Sequence, residues 1–242
     1  YLRRFYADRP GLSNAGIVFT IHNLGYLGHF DKSRLPGLSL EESLCEFGSP
    51  FEYDGGVSTL KLGIEFADYV NTVSERYAHE ISSDPEYGLG LEGVLAEKRR
   101  KGRLVGILNG VDYTLWDPSV DELIPARYSP EDMGGKRVCR EKLLESSGLD
   151  SGDDRPLIGM ISRLADQKGF DLLKIAADDI LSMGASLVVL GTGQPEYHEF
   201  LASLSEANPG VVAAHLKFDN ELAHLIEAGA DMFLMPSLYE PC

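Results

Sequence analysis

The chain has 242 residues, 43% of them hydrophobic, and a formal net charge of −16, enough for one large globular domain or two smaller ones. So acidic a chain is a poor partner for nucleic acid, whose phosphates call for a basic surface, and for anionic membranes. No apolar run approaches the ~20 residues of a membrane helix, no signal-peptide core is visible, and Cys45, Cys139 and Cys242 lack metal-ligand spacing, a usage that suits a reducing cytoplasm.

In chain order, Ile17–Ile21 reads as a buried strand running into His22-Asn23 and a loop through Phe30. Ser33 to Pro50 is Pro-punctuated, a loop with room for one short helix. Ser58–Asp68 has helical spacing and Tyr69–Val73 is a strand. Ser74 then caps a helix through Ile81, with Glu75 in its first turn favouring the helix dipole. Leu91, Val94 and Leu95 form a short amphipathic run whose basic end, Lys98–Lys101, reads as solvated. Leu104–Leu108 is a strand that ends in Asn109-Gly110. Val111–Pro130 holds three prolines and suits a crossing between domains.

Glu131 to Gly148 reads as a helix. Strand and helix then alternate: Pro156–Ile161, a helix from Gln167 to Gly184, Ser186–Leu190, a helix over Glu196–Ala207, Val211–Phe218, a helix from Asn220 to Ala228, and Met232–Met235. The apolar positions of the Gln167 helix are Phe170, Leu172, Leu173, Ile175, Ile180 and Leu181. This alternation predicts an α/β fold with doubly wound parallel sheets and helices on both faces. Right-handed crossovers put the strand-to-helix loops on one edge, where ligands bind in open sheets. The start at Tyr1 without a Met, and the stop at Cys242 straight after a strand and loop, lead us to expect an incomplete polypeptide.

Four constellations fall on those loops. Arg163 and Lys168 place two cations beside a helix start, an arrangement suited to a diphosphate, although two solvated surface charges would look the same. Gly191-Thr192-Gly193 matches part of a dinucleotide fingerprint but lacks its third glycine, so a tight turn is the better reading. His22 alone reads as a hydrogen-bonded structural histidine, and Glu240 alone as a capping or buried paired carboxylate. His79 and Glu80 lie on a helix face and read as solvated. No Ser-His-Asp arrangement and no metal-ligand spacing is evident.

Four motifs occur in one order: Thr20-Ile21-His22-Asn23-Leu24; Leu108-Asn109-Gly110-Val111-Asp112 with Trp116 and Pro118; Ser162-Arg163-Leu164 with Gln167-Lys168-Gly169; and Pro236-Ser237 followed by Glu240-Pro241-Cys242. Together they resemble the bacterial glycogen synthase and plant starch synthase family, over nearly the whole chain. The resemblance implies two Rossmann-like domains facing a cleft, the GT-B type of glycosyltransferase. Residues 1–108 would be the C-terminal part of the acceptor-side domain, and 109–242 the N-terminal part of the nucleotide-sugar domain. It also implies a retaining transfer of glucose from ADP-glucose to the non-reducing end of an α-1,4-glucan.

By the same resemblance, Arg163 and Lys168 would hold the diphosphate and stabilise the departing ADP, so that no metal and no cofactor is expected. His22 would meet the donor glucose. Glu240 would lie by the transferred sugar and favour positive charge at the anomeric carbon. Asn109, Phe218 and Cys242 would complete the donor and nucleotide site, Phe218 standing where relatives carry a Tyr beside the base, with Lys217 where a Gly is common. The implied location is the bacterial cytoplasm, or the plastid if the source is a plant. The family's Lys-x-Gly-Gly loop and the segment after the Glu-Pro-Cys motif are not in the sequence, so the chain by itself is expected to be inactive. Two other readings remain: a related transferase using another nucleotide sugar, sucrose-synthase-like or trehalose-forming, and a non-catalytic glucan-binding paralogue.

Overall fold

The computed structural model describes residues 2–151 and 154–242, with the side chains of Arg3 and Arg4 outside the description. The chain divides into two compact units, Tyr1–Gly110 with Pro241–Cys242, and Val111–Glu240.

The first unit contains α1 (Leu2–Phe5), β1 (Val18–Ile21), β2 (His29–Phe30), β3 (Glu52–Tyr53), β4 (Gly56–Ser58), α2 (Thr59–Phe66), β5 (Tyr69–Thr72), α3 (Glu75–Ser83), α4 (Pro85–Gly88), α5 (Glu92–Arg100) and β6 (Leu104–Gly106). A parallel sheet runs in the order β1-β5-β6, with Ile21 opposite Thr72 and Thr72 opposite Gly106. A small antiparallel sheet, β2-β4-β3, is built from the chain between β1 and α2. Ile64, Tyr77, Ala78, Ile81, Leu91 and Leu95, from α2, α3 and the α5 region, bury the inner face against Ile21, Val70 and Leu104. Val18, Tyr69 and Val105, on alternate positions of the strands, are exposed. The expected buried strand Ile17–Ile21 is therefore shorter and only half covered, because α2, α3 and α5 pack on one face of the sheet and alternate side chains point to the other.

Serine caps start both main helices: Ser58 Oγ accepts from Lys61 N–H and Ser74 Oγ from Tyr77 N–H, each at 3.1 Å. Lys98 is not the solvated cation the basic run suggested. Its ammonium donates to Ala67 O at 2.6 Å and Glu65 O at 3.4 Å, closing carbonyls at the C-terminus of α2, and burial pulls its pKa below the usual lysine value. Arg100 and Lys101 pair instead with Glu97, at 2.7 and 2.9 Å. Between Ser33 and Pro50 the chain forms two 3₁₀ helices, Lys32–Leu38 and Glu42–Leu44, the first capped by Asp31. The strand expected over Leu104–Leu108 ends at Gly106, where its partner β5 ends, and Ile107 and Leu108 are exposed.

The second unit contains α6 (Gly134–Ser147), β7 (Leu157–Ile161), α7 (Phe170–Ser182), β8 (Ser186–Leu190), α8 (Pro195–Ala207), β9 (Val212–His215), α9 (Asn220–Gly229) and β10 (Met232–Phe233). Its parallel sheet runs β10-β7-β8-β9. Alternation splits the central strand between two cores. Leu187 and Val189 pack with Phe170, Leu173, Tyr197 and Leu201 of α7 and α8, whereas Val188 and Leu190 pack with Leu143, Leu144 and Ile226 of α6 and α9. This is a doubly wound sheet with helices on both faces.

The helix expected from Gln167 to Gly184 is interrupted. A 3₁₀ turn, Asp166–Lys168, comes first, and Gly169 at φ 74° then resets the chain before α7 begins. A Cβ at Gly169 would lie 2.1 Å from Pro236 O, so glycine is required by close approach as well as by conformation. With the helix starting at Phe170, its inner face is Phe170, Leu173 and Ala177, while Leu172 and Ile175 face solvent, contrary to the sequence expectation. The strands expected over Val211–Phe218 and Met232–Met235 likewise shorten to β9 and β10, the first ending in a turn in which Lys217 N–H donates to His215 O.

Ahead of α6, Val111–Pro130 folds through successive Asx turns. Asp112, Asp117 and Asp121 accept from the N–H of Thr114, Ser119 and Leu123. Tyr128 donates from its hydroxyl to Ala228 O at 3.1 Å, and Lys136 donates to Ala228 O and Ala230 O at 2.9 Å, tying this segment and α6 to the end of α9.

Candidate active site

In the second unit the chain winds outward from β7 through β8 to β9, then returns to place β10 on the other side of β7. Strand order therefore reverses between β7 and β10. In open parallel sheets such a reversal leaves a crevice at the carboxyl ends of the two strands, because their following loops diverge. The loop after β7 carries Arg163 and Lys168, and the loop after β10 carries Glu240.

The structure brings these two loops together. Lys168 Nζ lies 2.6 Å from Glu240 Oε1, with both side chains mostly buried at 21% and 29% exposure. Leu238 N–H donates to Gln167 O at 2.9 Å, and Gln167 Nε2 donates to Tyr239 O at 3.1 Å. One turn of chain thus positions the Glu240 backbone through Gln167 and its carboxylate through Lys168. Arg163 stands five positions earlier, with an exposed side chain at the end of β7.

The glycines of Gly191-Thr192-Gly193 let two loops touch. A Cβ at Gly191 would fall 2.0 Å from Ser162 O, and one at Gly193 would fall 2.2 Å from Leu164 O. Leu164 N–H donates to Thr192 O at 3.1 Å and Gln194 N–H donates to Leu164 O at 2.8 Å. The motif packs backbone against backbone on both sides of Arg163. His198 adds a further tie, its Nε2 accepting from Gly193 N–H at 3.2 Å.

After β9, Phe218 projects at 88% exposure. Beside it, Lys217 Nζ lies 2.7 Å from Asp219 Oδ2. That hydrogen bond, with the Leu222 N–H that Asp219 accepts as cap of α9, holds the Asp219 carboxyl below the usual range. His215 closes β9 against Ser147 Oγ at 3.1 Å, and burial, reinforced by Lys217, holds its imidazole pKa down.

In the first unit, His22 is exposed directly after β1. The turn that carries it is fixed by buried Leu24, whose N–H donates to the Tyr77 hydroxyl at 3.0 Å, and by Asn23, which accepts from Gly25 N–H at 2.9 Å. Asn109 is exposed beyond β6. Both lie at the carboxyl edge of that sheet. Cys242 is exposed next to Pro241, whose carbonyl accepts from Ser74 Oγ at 2.6 Å. Among the described residues no group of three His, Cys, Asp or Glu side chains is arranged to hold a metal ion. Among them, too, no helix is long and apolar enough to cross a membrane.

Sequence reasoning missed Asp166 and Tyr197, which hold the same turn, and the buried pair of His224 and Asp121. Each joins residues far apart in the chain, and nothing in their local patterns marks them.

Two parallel α/β units of this kind, each with its strand-to-helix loops at the carboxyl edge, make up the GT-B class of fold. A family model described as the starch synthase catalytic domain matches residues 1–97, and one described as glycosyl transferases group 1 matches residues 142–242. The chain is 46% identical over 241 residues to a glycogen synthase of Koribacter versatilis, covering 100% of this chain and 49% of that protein. It is 45% identical to a glycogen synthase of Anaeromyxobacter sp., covering 100% and 50%. Among solved structures it matches the catalytic domain of starch synthase IV from Arabidopsis thaliana, bound to ADP and acarbose, with TM-score 0.88 and 33% identity over 100% of this chain and 50% of that one. Anabaena Alr3699/HepE, at 17% identity and TM-score 0.51 over 95% of this chain and 49% of that one, shares the fold alone. The chain is similar over its whole length to glycogen synthases and to a starch synthase catalytic domain, and it spans about half the length of the curated relatives it matches.

Proposed function

We propose that this chain is part of a retaining glucosyltransferase that moves glucose from ADP-glucose to the non-reducing end of an α-1,4-glucan. The observation that carries the reading is the Lys168–Glu240 pair at the reversal point between β7 and β10. It sets a cation for a diphosphate next to a carboxylate for a sugar, the two halves of a nucleotide sugar. The likeness to glycogen synthases, and the ADP and acarbose bound by the Arabidopsis relative, support the same donor and acceptor.

In this mechanism Arg163 and Lys168 bind the donor diphosphate. As the bond from anomeric carbon to phosphate oxygen breaks, negative charge grows on the leaving ADP, and preorganised cations lower the barrier to its departure. The two side chains supply the positive charge, so the reading includes no metal and no cofactor. Glu240 binds hydroxyls of the transferred glucose and stabilises positive charge developing at its anomeric carbon. His22 contacts the donor sugar. Asn109, Phe218 and Cys242 complete the donor site, Phe218 offering an aromatic face to the base. The acidic surface and the free thiols of Cys45, Cys139 and Cys242 fit a cytoplasmic enzyme without nucleic-acid or membrane partners.

The test is transfer of labelled glucose from ADP-glucose to glycogen by the complete reading frame that encodes this chain, with UDP-glucose in parallel. Transfer from ADP-glucose supports the reading. Transfer from UDP-glucose alone would replace the donor, and retention on glycogen without transfer from either would turn the protein into a glucan-binding one.

A further inference from the structure

The 3₁₀ turn Asp166–Lys168 is three residues long, and its side chains reach two parts of the second unit, the Tyr239–Glu240 segment and α8. Lys168 pairs with Glu240, Gln167 bonds the Tyr239 carbonyl, and Asp166 Oδ1 accepts from the Tyr197 hydroxyl at 2.5 Å. The residue before the turn, Ala165, has no side chain able to cap it, and the residue after it is the left-handed Gly169. Outside anchors therefore have to fix where the turn sits.

Tyr197 is suited to that task. It belongs to the first turn of α8, is 3% exposed, and packs its ring against Phe170 with centroids 5.4 Å apart. A buried tyrosine hydroxyl needs a partner, and this one is spent on a residue that is itself exposed. The bond thus orients the turn more than it satisfies the acid. The start of α8 also holds Leu164 through Gln194 N–H, so a single element grips the chain on both sides of Ala165.

We propose that Tyr197 is a positioning residue for Lys168: through Asp166 it fixes the entry of the turn, so that the ammonium at its exit is already placed for the donor's diphosphate. The inference rests on the diphosphate role proposed above. A packing role alone would be met by the ring, and the hydroxyl would then be dispensable.

The experiment measures ADP binding by calorimetry with the complete protein as wild type, Y197F, K168A and the double variant, with melting temperatures alongside. Y197F is expected to bind ADP three- to tenfold more weakly. In the K168A background the same change should have no further effect, the non-additivity expected of a residue that acts through another. Should Y197F fail to fold, D166A reads the same bond from its exposed side and should weaken ADP likewise, with D166N, which keeps an acceptor, restoring part of the affinity. Unchanged ADP affinity in Y197F or D166A, or losses that simply add to that of K168A, would overturn the inference. Wild-type protein that transfers glucose to no acceptor and does not bind ADP would instead overturn the donor reading on which it stands.

Discussion

The indole of Trp116 lies flat on the imidazole of His224, with ring centroids 3.8 Å apart and planes 12° from parallel. At the edge of the same ring, His224 Nδ1 lies 2.7 Å from Asp121 Oδ2 with the two side chains at 4% and 8% exposure. An aromatic plate and a buried carboxylate, both from the Asx-turn segment, thereby clamp one residue of α9.

Removing the imidazole would leave the Asp121 carboxylate buried with only the Leu123 N–H. Breaking a buried pair from one side costs about 3–5 kcal/mol. His224→Ala is therefore expected to lower the unfolding free energy of the second unit by about 3 kcal/mol in urea denaturation. A midpoint equal to wild type would show that the clamp carries no stability.

Tyr197 supplies a pH dependence. Its hydroxyl pKa is pushed up to about 12, first by the bond to Asp166 and then by burial. Below about pH 10 the folded and unfolded states both keep the proton. Between pH 10 and about 12 the unfolded chain ionises first, so unfolding releases a proton and stability falls as pH rises. The stability advantage of wild type over Y197F should shrink across that interval. A constant difference across it would count against the bond.

Gly169 and Gly148 separate two costs of a side chain. Both are left-handed, at φ 74° and 66°, but a Cβ at Gly148 meets nothing within 4 Å, whereas one at Gly169 meets Pro236 O at 2.1 Å. Gly148→Ala should cost about 1 kcal/mol, from conformation alone. Gly169→Ala adds a backbone collision of about 1–3 kcal/mol and should weaken ADP binding by shifting Lys168. Equal melting temperatures for the two variants would contradict the close approach.

For the chemistry, Lys168→Ala in the complete protein should lower transfer by about 10²-fold or more. Glu240→Ala should lower turnover with a smaller effect on ADP affinity. Wild-type turnover in the first variant would remove the phosphate role, and equal losses of turnover and affinity in the second would mean that Glu240 acts on the nucleotide.

Much of this was readable where a pattern is local. The short apolar run Leu157–Ile161, bounded by Pro156 and the alternating pattern after it, reads as a buried strand, and Ser74 ahead of Glu75 marks a capped helix. Two cations beside a helix start point to Arg163 and Lys168, and the resemblance adds Glu240, but neither reveals the bond between Lys168 and Glu240, which closes 72 residues of chain. Leu172 and Ile175 are apolar but fall on the helix face opposite Phe170, Leu173 and Ala177, so composition alone overstated the buried stripe. Lys98 misled because a run of cations gives no sign that one of them folds back on a neighbouring helix. Asp166 and Tyr197 left no trace at all, since each is ordinary in its own element and only the packing of α8 makes them partners.

The close approach at Gly191 and Gly193 has a mechanical meaning. With peptide groups this near and joined by hydrogen bonds, the segments after β7 and β8 have no side-chain cushion between them to absorb displacement. Any shift of the backbone around Arg163 must carry the neighbouring loop with it, and through Gln194 the head of α8. The backbone that carries Arg163 is thus a stiff bracket rather than a free strand end.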